Sequence, residues 1–269
     1  GVGPRLVILN IADPAHPSAV GQTGVLPSVV QDVAVAGSYA YVADLWHGLR
    51  IINVTDPAHP TEVGFCDTPG LANSVAVAGS YAYVADHRHG LRIINIANPA
   101  HPTEVGFYQT GDYADGVAVV GNYAYVANFY CGLRIINVTD PVHPTEVGFC
   151  DTPGWAYKVA VAGDYAYVAD YWEGLRIINI ANPAAPREAG FYNPGGTFRS
   201  VAVAGNYVYV GSGWLRGLLT INVSNPANPV EVSSCDTPGD AWAVAVAGNY
   251  AYVADGGYGG LRTINVANP

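Results

Sequence analysis

"GLRIINVTDPAHPTEVGFCDTPG" spans residues 48–70 and returns at 132–154 as "GLRIINVTDPVHPTEVGFCDTPG". A third version, "GLRIINIANPAHPTEVGFYQTG", begins at position 90, midway between the two. Starts at 48, 90 and 132 are evenly spaced, and that spacing governs every other reading of the chain, because each copy is one supersecondary unit. Anchored on "VAVAG", copies begin at Val33, Val75, Val117, Val159, Val201 and Val244. Each unit holds four short runs rich in valine, isoleucine and tyrosine, as at Val75–Ala78, Tyr81–Ala85, Leu91–Ile96 and Thr103–Phe107. Gly, Asn, Asp and Pro separate them and supply turn geometry. No helix-length amphipathic stretch occurs.

Four antiparallel strands per unit, six times over, predict an all-β chain folded as a six-bladed β-propeller in a single domain, 1–269. A strand solenoid would use shorter coils and need capping units, of which there is no trace. The third-type strand occurs seven times, with Leu6–Ile11 as the extra copy, while the last unit lacks a fourth strand. Ser18–Gln22 is therefore expected to complete the C-terminal blade, beside Leu261–Val266, so that residues 5–22 close the ring. Leu6–Ile11 then adds on the outer edge or is exchanged with a neighbouring molecule, a route to self-assembly through the terminal strands.

Half of the 269 residues are hydrophobic and only 12% are charged, with a net charge of −10. Clustered cations are what phosphate backbones require, so no nucleic-acid partner is expected. Lys158 is the only lysine, which excludes a polybasic membrane patch, and no apolar run is long enough to insert in a membrane. The chain starts at Gly1 and contains no methionine, so it reads as a processed or excerpted product, which is compatible with a removed leader.

The string "RLVILNIADPAHP" at 5–17 and its relatives, with the recurring "LRIINV" followed by a D/N-P turn, resemble the LVIVD-repeat family of β-propellers over essentially the whole chain. Asn10, Asn53, Asn95, Asn137, Asn179, Asn222 and Asn265 stand where that family more often has Asp. The resemblance implies a secreted or surface protein and supplies no catalytic residues to carry over.

Function is then sought in what departs from the repeat. Asp44, Asp86, Asp170 and Asp255 share a position with Asn128 and Ser212, so they read as loop-capping acceptors. His16, His59, His101 and His143 fall in a turn where Ala185 and Asn228 substitute, which argues against metal binding. The third-strand arginines and fourth-strand glutamates read as cross-strand pairs. His47, His87 and His89 form a weak metal signal, and neither a metal nor another cofactor is expected.

In a four-stranded blade the loop between second and third strands shares a face with the connection to the next blade. All five tryptophans fall there: Trp46, Trp172 and Trp214 in loops, Trp155 and Trp242 in connections. Tyr113, Tyr130, Tyr157, Tyr171, Phe198, Arg199, Lys158 and the carboxylates Asp32, Asp112, Asp115, Glu173 and Asp240 join them. Loops on a rigid scaffold are where binding resides, and tryptophan and tyrosine suit sugar rings or protein hot spots. The expected binding face is Trp46, Trp155, Tyr157, Trp172, Trp214 and Trp242 with Asp115 and Glu173, and its partner a protein or glycan. The alternative is that these aromatics merely cover the blade ends.

The positions before the innermost strands, Asp32, Ser74, Gly116, Lys158, Ser200 and Ala243, offer no obvious acid–base pair. The reading is thus an extracellular, non-enzymatic binding or structural module. A carbohydrate-active enzyme pairing Asp115 with Asp32 or Glu173, or a subunit of a surface layer or filament, are the alternatives. Folding the hairpin 132–150 about its turn places Cys131 nearly opposite Cys150, predicting a disulfide and an oxidising compartment. Asn53, Asn137 and Asn222 are sequons and candidate glycosylation sites.

Overall fold

The structure is a computed structural model that describes residues 3–213, 216–257 and 259–268. Its strands form six blades, and five of these are complete four-stranded antiparallel sheets. After a hairpin of β1 (Val7–Asn10) and β2 (Ser18–Gln22) comes the first blade: β3 (Asp32–Ala36), β4 (Tyr39–Ala43), β5 (Leu49–Asn53) and β6 (Thr61–Cys66). Its register pairs Asp32 with Ala43, Tyr39 with Asn53 and Leu49 with Cys66. The next four blades repeat this order, and the last consists of Ala241–Ala247, Tyr250–Asp255 and Gly260–Asn265.

Local chemistry stops each strand. The Asn53 side chain accepts the Thr55 N–H at 2.9 Å, and Asn10, Asn95, Asn137, Asn179, Asn222 and Asn265 each do the same two residues on. A turn built on a neutral amide explains why asparagine serves here. In the turn that follows, His59 Nδ1 lies 2.8 Å from Asp56, as His16 and His143 lie by Asp13 and Asp140. Gly64 in β6 has no alternative, since a Cβ there would stand 2.2 Å from the Pro99 carbonyl of the next blade.

The core lies between consecutive blades. Tyr41, Ala43, Leu49 and Ile51 of the first blade pack on Ala72, Val75, Ala82, Val84, Ile94 and Ile96 of the second. The same positions recur one repeat later as Tyr83, Ala85, Leu91 and Ile93 against Ala114, Val117, Ala124, Val126, Ile136 and Val138. Second and third strands are buried on both faces, which is why they read as continuous apolar runs. The third-strand arginines are held as expected, and more tightly. Arg50 meets Glu62 at 3.4 Å, Asp67 at 3.2 Å and Asp44 at 3.6 Å while stacking 4.5 Å over Phe65. Arg92 and Arg176 repeat the pattern with Glu104 and Glu188 and with Phe107 and Phe191.

The chain divides into two compact units, residues 1–126 with 136–146, and 127–135 with 147–269.

Ser18–Gln22 pairs with Val7–Asn10 in a hairpin. The short turn between β1 and β2 makes this pairing local, so little loop entropy is lost, as in every other third–fourth hairpin. Leu6 packs on Leu26, Ala40, Val42 and Ile52, which gives the extra segment a place beside the first blade. One expectation is corrected, the disulfide: Cys131 and Cys150 are both free, as are Cys66 and Cys235. Cys131 sits in a turn, its N–H bonded to the Asn128 carbonyl at 2.7 Å, whereas the Cys150 thiol lies by the Asp151 carbonyl at 3.9 Å. The equivalent register in the first blade sets Leu49 opposite Cys66, two residues beyond the position of Cys131. The argument for an oxidising compartment from cysteine pairing falls with it.

Candidate functional site

The loops between second and third strands share one construction. In the first, the Asp44 N–H bonds the Gly48 carbonyl at 2.9 Å and the His47 N–H bonds the Asp44 carbonyl at 2.7 Å. The residue after the aspartate or asparagine is left-handed without being glycine: Leu45 (φ 32), His87 (φ 51), Phe129 (φ 40) and Tyr171 (φ 47). That conformation costs an ordinary side chain about 1–2 kcal/mol, so something must hold it. Isolated bridges to the following connection do so, Leu45 to Ala72, His87 to Ala114, Phe129 to Ala156 and Tyr171 to Phe198. Each strained residue is followed by a loop tip: Trp46, Arg88, Tyr130 or Trp172.

The aspartates beneath clamp the connection from the preceding blade. Asp170 accepts Thr152 Oγ1 at 2.6 Å and the Gly154 N–H at 2.9 Å, with Arg176 Nε at 3.6 Å. Asp86 does the same with Thr68, Gly70 and Arg92. Burial pushes the Asp170 carboxyl up to about 6, against the opposing pull of these donors, and raises Asp44 and Asp86 likewise. Charge and capping both act at this position, where sequence alone suggested capping.

Within the second unit these loops carry a continuous stack. Trp155 lies between Phe129 (centroids 5.0 Å, 24° between planes) and Tyr171 (5.1 Å, 8°). The Arg199 guanidinium continues the row, 5.3 Å from the Tyr171 ring and 4.2 Å from that of Trp242. Tyr157 leans on Tyr171 at 5.0 Å. Two loop tips stand edge-on to the row, Tyr130 at 4.7 Å from Phe129 and Trp172 at 4.8 Å from Tyr171. Rings inside the stack cover one another's faces. Tyr130, Trp172 and Trp242 remain 61%, 54% and 53% exposed.

Within the first unit Trp46 is 66% exposed, and His87 stacks on Tyr113 at 4.2 Å. Arg88 lies over the same Tyr113 ring and donates to its hydroxyl at 2.8 Å. Burial, then Arg88, holds His87 below the usual imidazole range. Trp214 lies outside the described residues.

Glu173 is engaged by Arg176 at 3.1 Å, and Asp115 is buried and accepts Asn73 Nδ2 at 2.6 Å. Asp32 accepts the Ser74 hydroxyl at 2.5 Å. Phe198 is fully buried, so it belongs to the core and not to the surface. Phe129, which sequence reading passed over, was detectable as the counterpart of Tyr171 one repeat earlier. Among the described residues no three His, Cys, Asp or Glu side chains come together as a metal site would require. A groove of about 570 Å³ exists elsewhere, between β6 and the next blade's turn, lined by Glu62, Phe65, His101 and Pro102 and by none of the variable loops.

The chain belongs to the LVIVD repeat family, whose repeat matches residues 28–68, 69–110, 111–152, 153–194, 195–237 and 238–269. No curated protein sequence matches it. Among solved structures it resembles a Lactobacillus plantarum protein at TM-score 0.80 and 14% identity, covering 93% of this chain and 84% of that one. It also resembles the Pseudomonas aeruginosa periplasmic gluconolactonase PpgL (0.74, 15%, 97% and 80%) and the Swd1 β-propeller domain of Myceliophteria thermophila (0.77, 10%, 92% and 87%). At these identities the likeness is one of fold. It nevertheless corrects the expectation of a non-enzyme: PpgL is a gluconolactonase on such a scaffold, so a plain ring of residues before the inner strands does not exclude catalysis. Among the described residues no helix is long and apolar enough to cross a membrane.

Proposed function

We propose that this LVIVD-repeat propeller recognises saccharide on the aromatic loop face of its second unit. The observation that carries the reading is the stack from Phe129 to Trp242, which holds three exposed rings in place before any ligand arrives. Sugar rings present flat C–H faces rimmed by hydroxyls, and rigid tryptophan and tyrosine match them at low entropic cost. The loop clamps beneath, through Asp170 and its donors, favour a preformed site over one that folds on binding. The setting we propose is outside the cytoplasm, a placement supported by the periplasmic location of PpgL.

The test is titration of intrinsic tryptophan fluorescence with a panel of oligosaccharides, repeated on Trp172→Ala and Trp242→Ala. Saturable quenching that both variants weaken is expected. Binding that survives both substitutions unchanged, or a panel without any response, overturns the reading. A sugar lactone in the same panel, followed for ring opening, reads turnover directly.

A further inference from the structure

Resting on that saccharide reading, we infer that the ligand is acidic, with a sugar carboxylate received by the Arg199 guanidinium. Two residues before the anchoring valines stand Gln31, Asn73, Asp115, Tyr157, Arg199 and Trp242, no two alike in a chain that otherwise repeats itself closely. In the second unit this position reads aromatic, cation, aromatic in successive blades. Its cation is held in place: the guanidinium lies 5.3 Å from the Tyr171 ring and 4.2 Å from that of Trp242. Nη2 donates to the Tyr171 hydroxyl at 3.3 Å.

The blade around Arg199 lacks the carboxylate that its counterparts keep. Where Asp170 faces Arg176 in the blade before, Ser212 and Leu219 occupy the equivalent positions. The Ser212 hydroxyl turns to the Gly213 carbonyl at 3.2 Å. Without the clamp the first two strands run on, pairing Thr197 with Gly213 and Phe198 with Ser212, and a bulge sets Arg199 out of the ladder. Thr197 Oγ1, Arg199 Nε and Ser200 Oγ are enclosed there without hydrogen-bond partners. Thr197 and Ser200 are only 0% and 4% exposed. Buried polar groups are normally satisfied, so three orphans within four residues mark a departure from the repeat's own packing that function can explain.

Charge decides what the departure serves. Arg50, Arg92, Arg134, Arg176, Arg216 and Arg262 all meet a carboxylate. Arg199 is half-buried, and among the described residues it forms no ion pair. Asp240 approaches on the Nε side, since a side chain at Gly213 would meet its Oδ1 and Arg199 Nε each at 3.3 Å, yet no ion pair joins the two. A cation packed among rings has lost part of its hydration, and an anion compensates that loss best. With Nε enclosed, the Nη nitrogens remain for a ligand, and a planar carboxylate matches such a fork with paired N–H···O bonds. Beside it Trp242, 53% exposed, offers apolar surface to the sugar ring that carries the carboxylate. The net charge of −10 repels anions at long range, but at about 0.15 M salt the Debye length is about 8 Å, so the short contact prevails.

The experiment is calorimetric titration of the intact chain with short uronate oligosaccharides from polygalacturonate, alginate and hyaluronan, each beside its methyl ester. Esterification removes the charge and keeps the sugar, so this comparison needs no variant. At least one acid is expected to bind about tenfold or more tightly than its ester. Arg199→Gln should bring that pair to within about twofold of each other, and Arg199→Lys should restore part of the preference. A merely structural role for Arg199 would weaken acid and ester alike and leave their ratio unmoved. If no acid outbinds its ester, or if a sulfated neutral oligosaccharide outbinds every uronate, this inference falls and the saccharide reading stands. Silence of the acids, the esters and the neutral sugars together overturns both.

Discussion

Trp155 and Tyr171 lie almost parallel, their planes 8° apart and their centroids separated by 5.1 Å. One comes from the connection into a blade and the other from that blade's own loop, where Tyr171 is left-handed at φ 47. The contact therefore ties a strained backbone position to the ring that stabilises it. Phe129 closes on the other face of Trp155, so the indole serves as a shared wall between two loops.

Removing that wall separates support from recognition. Trp155→Ala is expected to cost about 2–3 kcal/mol of stability, less than a wholly buried tryptophan because this one is half-buried. Trp172→Ala, at an exposed tip, should leave the melting temperature nearly unchanged and weaken saccharide binding about tenfold. Denaturant unfolding and titration on both variants check the contrast. Equal stability losses would contradict it.

The left-handed loop residues make a second test. Leu45 at φ 32 has no aromatic stack to offset its conformation, so Leu45→Gly should relieve about 1 kcal/mol of backbone strain and largely cancel the packing it removes. Leu49→Gly, in the buried strand that follows, should cost several-fold more. Chemical denaturation midpoints of the two variants give the comparison.

Acidity at Asp170 sets a pH dependence with a definite sign. Its folded carboxyl is raised to about 6, above the ordinary aspartate value near 3.8, chiefly by burial. Between those values the folded state binds the extra proton, so its contribution is full below about pH 4 and is lost as pH rises through 6, by roughly 2–3 kcal/mol. Asp86 and Asp44 add in the same direction. Asp170→Asn, which copies Asn128 of the third blade, should flatten the stability profile across pH 4–6 relative to the parent. A steeper profile in the variant would refute the assignment.

All four cysteines should titrate as thiols. Burial pushes the Cys66 and Cys150 thiols up, so both are expected to react slowly with a disulfide reagent in the native state. Unfolding should release four equivalents without a reductant. Two equivalents would restore the bridge expected from hairpin geometry.

Deletion of residues 1–22 should lower the melting temperature sharply, because Leu6 covers Leu26, Ala40, Val42 and Ile52. Deletion of 1–11 alone should also destabilise, since it removes both Leu6 and the ladder partner of Ser18–Gln22. Thermal unfolding of the two truncations measures this, and a harmless 1–11 deletion would show that β1 contributes nothing to the first blade.

Strand positions, turn chemistry, blade number and the separation of a uniform face from a varied one were all legible in the sequence. These depend on short-range rules, the two-residue alternation of strands and the Asn and Gly turns, which the repeat states again and again. Asn53 capping Thr55 could be read from its neighbours alone. What the tertiary structure decided rests on groups brought together from distant loops. Arg199 lies between Tyr171, far before it in the chain, and Trp242, farther still after it, and nothing local to any of the three places them in one row. Phe198 and Trp242, alike in composition, part company because one fills the space under a bridge while the other ends a stack in solvent. Cys131 and Cys150 were a near match in sequence register, yet a turn carries one of them away.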